Sequence, residues 1–357
     1  MTDDIQLFLV CPRSDKIYER HMRNLLKFIL VFIPFFASAK GPSMDGTFIQ
    51  LQSWMTKIPA QEWHRDLNAM RAAGIKTLVL QWLQYDADRF YPVNVEGVDP
   101  IEEILTYADN AGMDVYLGLV FDSRWWKLWD NDDFLESTAR RNAKFAKKIW
   151  KRYGHHKSIS GWYLPFELID SDYDQDTAES LKGFLRTMAR ACRKLSGRHT
   201  PVAASVFFQG NYSPYDTEKI LTQVLKGSEL SVLMVQDGVG ANSGWATQIE
   251  EKVVPYLKAY QNVSRTIGAQ MWTVVESFES VRDAAGQPID RVPADLARLL
   301  TQIEAAKPVS ERIITFDFFH YMSPFRGERQ RVLYEAYMEF LSHQPDARQK
   351  QQRQEQP

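Results

Sequence analysis

Gly161-Trp162-Tyr163-Leu164-Pro165-Phe166-Glu167 runs apolar without alternation and closes on a carboxylate, just before an acidic loop. An unbroken apolar run of this length reads as a strand buried on both faces, as in a parallel sheet. A strand ending in Glu is one way for a (β/α)8 barrel to present a proton donor at its rim. Gln270-Met271-Trp272-Thr273-Val274-Val275-Glu276 repeats the pattern 109 residues later (276 − 167). Whether the two glutamates share a cleft depends on how many strand–helix units separate them.

Outward from this stretch the chain alternates regularly. Strands are predicted over 47–51, 75–82, 114–121, 159–166, 201–208, 231–236, 266–275 and 312–318. Helices are predicted over 60–73, 100–111, 132–153, 177–195, 217–225, 245–260, 293–306 and 328–341. Apolar positions such as Trp63, Leu67 and Met70 recur at helical spacing. Gly74 and Gly112 stand as helix stops and Pro293 as a helix start. Eight units favour a closed barrel over an open doubly wound sheet. No Gly-x-Gly-x-x-Gly follows the first strand, against dinucleotide binding. The expected fold class is α/β, a single (β/α)8 TIM barrel over residues 45–342, which makes 161–167 the fourth strand and 270–276 the seventh.

The flanks read differently. A basic stretch from His21 to Lys27, the apolar run Phe28–Phe36 and the small-x-small Ala37-Ser38-Ala39 form a signal-peptide pattern, with a cut expected after Ala39. Asp3, Asp4 and Asp15 are wrong for such a leader, so Met22 is the expected start. Residues 1–39 are therefore taken as an upstream segment plus cleaved signal. The mature protein is expected to be periplasmic or secreted, with no stable membrane anchor. Only Cys11 and Cys192 are present, and losing Cys11 leaves no partner for a disulfide. Residues 343–357 lack apolar periodicity and read as a disordered tail. A net charge of −2 gives no basic face for nucleic acid.

In a TIM barrel the site is built at the C-terminal strand ends. Those ends supply Gln50 and Trp54, then Trp82 and Gln84, then Asp122, Trp125, Trp126 and Trp129. The second half supplies Gln209, Asn211 and Tyr212, Gln236 and Asp237, Trp272, and finally Asp317, His320 and Tyr321. Amides, carboxyls and flat aromatic faces suit a sugar, whose C–H face stacks on rings while its hydroxyls take hydrogen bonds. An oligo- or polysaccharide is the expected partner. No His-Glu-x-x-His or His-x-His marks a metal site, and no cofactor is expected. His155-His156 reads as a solvated pair on the opposite rim. Trp63 and Trp150 read as core, as does Cys192.

The register of Glu167 and Glu276 resembles clan-A glycoside hydrolases, in which the general acid/base ends strand four and the nucleophile ends strand seven. The chain also resembles a family of exported bacterial barrel proteins of unknown function. The resemblance implies a glycosidase with a retaining mechanism, Glu167 as acid and Glu276 as nucleophile. It departs at Phe166, where clan-A enzymes usually carry an Asn that bonds the sugar 2-hydroxyl. Asn211 or Gln209 would have to supply that contact; otherwise the barrel binds carbohydrate without turnover, in polysaccharide secretion or assembly. The chemistry needs one protonated and one ionised carboxyl. Apolar Phe166 and Tyr163 are expected to raise Glu167, and Tyr321 or His320 to keep Glu276 ionised.

Overall fold

The computed structural model describes residues 43–92 and 98–344. Eight parallel strands close on themselves: β1 (Gly46–Ile49), β2 (Thr77–Leu80), β3 (Asp114–Gly118), β4 (Ile159–Ile169), β5 (Val202–Phe207), β6 (Val232–Gln236), β7 (Gln270–Glu276) and β8 (Arg312–Phe316). Each strand pairs with its sequence neighbours, and β8 returns to β1. The main helices are α1 (Ala60–Ala72), α2 (Pro100–Ala111), α3 (Asp132–Tyr153), α4 (Gln175–Ser196), α5 (Pro214–Leu225), α6 (Val254–Ile267), α7 (Leu296–Ala306) and α8 (Glu328–Ser342). This is the TIM barrel the eight units imply. The leader and the tail beyond Gln344 lie outside the described residues.

Two interiors result. Between strands and helices lies a broad apolar layer that includes Trp63, Trp162 and Cys192. Burial pushes the Cys192 thiol up to about 12, as suits an inert apolar residue. Inside the barrel, Phe48, Val79, Tyr116, Tyr163, Ala203, Met234, Trp272, Val274 and Ile314 form a second cluster. Gly161 opens room for it, since a Cβ there would lie 2.3 Å from the Tyr116 ring.

Several boundaries differ from the sequence reading, and four of them have a clear local reason. The helix predicted over 245–260 is broken into a turn at Ser243–Trp245, a short helix Ile249–Lys252 and α6, which restarts at Val254 with Pro255 in its first turn and runs to a left-handed Gly268. Strand β7 therefore begins at Gln270 rather than 266. Pro293 does not start α7: Asp295 does, its side chain accepting from Ala297 N at 2.8 Å. Pro293 instead ends an antiparallel hairpin, Phe278–Arg282 with Pro288–Pro293, where the sequence reading placed a loop. Strand β8 stops at Phe316 because Asp317 caps the short helix Phe318–Tyr321.

Candidate active site

The cleft floor continues the inward parity of the barrel core. One step of two residues above Phe48, Val79, Met234, Val274 and Ile314 lie Gln50, Gln81, Gln236, Glu276 and Phe316. These residues and Glu167 line one cavity of about 200 Å³, walled by Trp82, Tyr85, Phe121, Trp126, Phe278 and Arg291. An adjoining lobe of about 490 Å³ takes in Gln209, Asn211, Ala241 and Arg282 and also reaches both glutamates. A larger groove, about 1130 Å³, runs between α1 and α8 on the outer face, away from both carboxyls.

Glu167 reaches the cavity through a bulge. In the β4–β5 ladder Leu164 pairs with Ala204 and Leu168 with Val206, so residues 165–167 stand opposite one residue of β5. Pro165 has no N–H to donate to the ladder, and a bulge there re-aims the following side chains. Phe166 is driven outward, where its ring packs against Trp125 at 5.2 Å and Phe184 at 5.1 Å. It is therefore not a wall of the acid's pocket, as the sequence reading supposed, and nothing from position 166 reaches the cleft. The Trp125 indole donates to the Glu167 carbonyl at 3.0 Å and fixes the bulge from behind. Burial raises the Glu167 carboxyl above its ordinary range, against the opposing pull of the Gln236 side chain and the Arg291 charge.

Glu276 is 5% exposed, and the turn after β6 wraps it. Ala241 N donates to its Oε2 at 2.7 Å. Asp237, fully enclosed, accepts from Val239 N at 3.2 Å, from Glu276 N at 3.4 Å and from Gln302 Nε2 at 2.5 Å. Gly240 lets the turn pass this close: a Cβ would fall 2.2 Å from the Phe278 carbonyl and 3.1 Å from Glu276 Oε2. Burial and the like charge of Asp237 together push the Glu276 carboxyl up to about 8, while Ala241 N–H and Arg291 act the other way. The sequence reading had Tyr321 or His320 holding Glu276 ionised. Among the described residues neither donates to it; Asp237, a group of the opposite effect, stands beside it instead.

The remaining expected residues divide. Gln50 sits on the floor with its Nε2 donating to Gln81 Oε1 at 2.9 Å. Trp82 and Trp126 are walls; Trp126 is half exposed. Gln236 lines both lobes, and Gln209 and Asn211 line the second, joined by a 3.1 Å amide hydrogen bond.

Others lie elsewhere. Trp272 is a core residue beneath the site, 1% exposed, edge-on to Tyr116 and under the Arg312 guanidinium. Trp125 is buried behind the bulge, and Asp237 is sealed under Glu276. Gln84 staples its own loop, donating to the Asp86 carbonyl and accepting from Tyr91 OH. Tyr212 gives its carbonyl to Tyr256 OH outside the cavity. Trp54 packs on Phe319 and His320 beyond the wall. His320 Nδ1 donates to buried Asp317 at 2.7 Å; burial opposes its charge, but that carboxylate outweighs burial and raises the imidazole above its usual range. Tyr321 packs at a tilt on Phe278 and shares a hydrogen bond with Arg291, with burial lifting its hydroxyl to about 12. Asp122 is a clamp: hydrogen bonds from Arg124, with Arg141 beside it, hold it down at about 2.

Sequence reasoning missed Gln81, Tyr85, Phe121, Phe278, Phe316 and Arg291. Parity would have found Gln81, and a turn signal at Asp283-Ala284-Ala285-Gly286 between Val281 and Ile289 marks the hairpin that carries Arg291. His155-His156 is not simply solvated either. His156 is buried, with Nδ1 2.9 Å from Asp109 and Nε2 3.2 Å from Glu102. Glu102, His155 and His156 bring ligand atoms within 4.8 Å of one another, but both His156 nitrogens are already engaged by carboxylates.

Residues 44–327 match the family model described as "Domain of unknown function (DUF4434)". The chain belongs to the DUF4434 family. It is 28% identical over 286 residues to the uncharacterized protein YbcH of Escherichia coli K12, covering 77% of this chain and 91% of that one. A Bacteroides thetaiotaomicron structure described as "a putative alpha-L-fucosidase" superposes with a TM-score of 0.69 at 24% identity, covering 85% of this chain and 97% of that one. The endo-1,4-beta-D-mannanase of Thermotoga petrophila gives 0.55 at 13%, covering 84% and 99%. At these identities the likeness is one of fold: this DUF4434 member has a glycosidase-like (β/α)8 barrel.

Proposed function

We propose that this protein is a glycoside hydrolase acting on a polysaccharide, with Glu167 and Glu276 as its two carboxyl groups. The observation that carries the reading is that the glutamates ending β4 and β7 line one cavity, together with amides on its floor and aromatic walls at Trp82 and Trp126. In the retaining scheme Glu167, raised by burial, protonates the leaving oxygen, and Glu276 attacks the anomeric carbon once it has lost its proton. Ala241 N–H and Arg291 favour that ionised form, and Asp237 opposes it. The stereochemistry of the first product, followed by proton NMR, tests this: retention is expected, and inversion would replace the covalent step with attack by water.

A second reading, a carbohydrate-binding barrel without turnover, draws on Phe166. Its outward packing leaves the Asn contact of clan-A enzymes to Gln209 or Asn211. Substituting Gln at both glutamates separates the readings, because a binder has no turnover to lose.

We further propose export through the leader at residues 22–39, on the strength of its basic, apolar and small-x-small order. Sequencing the mature N-terminus from a periplasmic extract checks it; Lys40 first supports export, and an intact leader contradicts it.

A further inference from the structure

We propose that the cleft selects a sugar unit carrying an anionic substituent, recognised by Arg291. This rests on the reading of the cleft as a carbohydrate site and names the class of sugar.

Arg291 stands on the second strand of the hairpin and lines both lobes beside the two glutamates. Its guanidinium lies over the Phe278 ring, 4.5 Å from the centroid, and shares a side-chain hydrogen bond with the Tyr321 hydroxyl. Stacking and that hydrogen bond fix the planar fork, whose five N–H groups exceed what one hydroxyl can take. Other arginines of the barrel are ion-paired, Arg124 and Arg141 with Asp122 and Arg326 with Asp66. Arg291 has no carboxylate within 4.0 Å among the described residues.

Arg291 favours the ionised forms of Glu167 and Glu276, yet among the described residues it forms an ion pair with neither. Burial favours the neutral forms of Glu167 and Glu276, so the cleft carries less negative charge than two glutamates suggest. Arg282 adds a second cation to the same lobe, but its guanidinium is committed, Nη1 to the Gly286 carbonyl at 2.8 Å and Nη2 to the Ala241 carbonyl at 2.6 Å. It anchors the hairpin to the turn that holds Glu276. Arg291 is left as a fork held by Phe278 and Tyr321, with no carboxylate partner among the described residues, lining the space a sugar would fill; a planar guanidinium can match a carboxylate or an oxyanion ester bidentately.

Calorimetric titration of the full protein and of Arg291→Gln tests this. The probes are glucuronate, galacturonate, mannuronate and galactose 6-sulfate, each against its neutral parent sugar. At least one anionic sugar is expected to bind about tenfold tighter than its parent at low salt. That advantage should shrink at high salt and vanish in Arg291→Gln. Preference for a uronate identifies a carboxylate substituent, and preference for the sulfate an ester. The proposal is overturned if neutral sugars bind as tightly, if no anionic sugar binds, or if a folded Arg291→Gln keeps the preference. Neutral binding accompanied by hydrolysis would leave the hydrolase reading standing without this inference. Anionic binding without release of reducing ends from the matching polymer would do the reverse.

Discussion

The backbone N–H of Ala241 donates to Glu276 Oε2 at 2.7 Å, and the turn that carries it is pinned by Asp237, whose carboxylate also accepts the N–H of Glu276 itself. Asp237 thus has two opposed effects. It places a backbone donor that favours ionised Glu276, and its charge resists that ionisation.

Replacing Asp237 by Asn separates these effects. Asn keeps the acceptor for the turn, and Gln302, whose Oε1 has no partner among the described residues, can rotate its amide to accept from the new NH2. The like charge disappears, so Glu276 ionises more easily. With Glu276 as nucleophile, kcat/KM should rise with pH toward about 8 in the wild type, and Asp237→Asn should move that limb to lower pH. A limb that stays in place would remove Asp237 from the titration.

Stability should carry the same signature. A carboxyl raised from 4.5 to about 8 on folding binds its proton more tightly in the native state. Its contribution is therefore fully present below pH 4.5 and is lost as pH rises toward 8. Glu276→Gln lacks this titration. The melting temperature of wild type relative to Glu276→Gln should fall steadily over that window, as read by calorimetry; a constant difference would contradict the raised carboxyl.

Phe166→Asn restores the residue that clan-A barrels usually place before the acid, yet here it should give no gain. The side chain is 0% exposed among Trp125, Phe184 and Phe121. Removing the ring costs about 3–5 kcal/mol by analogy with other buried aromatics, and the amide would be left without a partner. Urea denaturation measures the loss. An unchanged midpoint would mean that position 166 turns toward the cleft after all.

Gly240→Ala is expected to damage the site without touching a carboxyl. The added methyl meets the Phe278 carbonyl at 2.2 Å, so the turn must move and Ala241 N–H with it. Turnover should drop by an order of magnitude or more, the scale of one lost backbone donor to a reacting carboxyl. Wild-type rates in Gly240→Ala would show that this hydrogen bond does no catalytic work.

Where sequence and structure part, height along the strand is the recurring reason. Periodicity located the eight strands, and the ends of β4 and β7 carry Glu167 and Glu276 into one cavity. Trp272 shares the inward parity of Glu276 but sits four residues, about 13 Å, lower, where it fills the barrel. Gln81 was hidden because the strand was read through to Trp82, whose side chain belongs to the wall. Asp237 looks like a ligand in sequence, since nothing there shows that the turn folds over it. Arg291 was illegible for a different reason. The hairpin presents few apolar residues, and its strands pair with each other outside the barrel's repeat.

The account is tested most directly by incubating wild type, Glu167→Gln and Glu276→Gln with a panel of neutral and acidic polysaccharides and measuring the reducing ends released. The wild type should release them from at least one polymer, and each variant should lose at least a hundredfold in rate while still binding it. Absence of release by the wild type across the panel, or undiminished release by both variants, would contradict the paired-glutamate hydrolase.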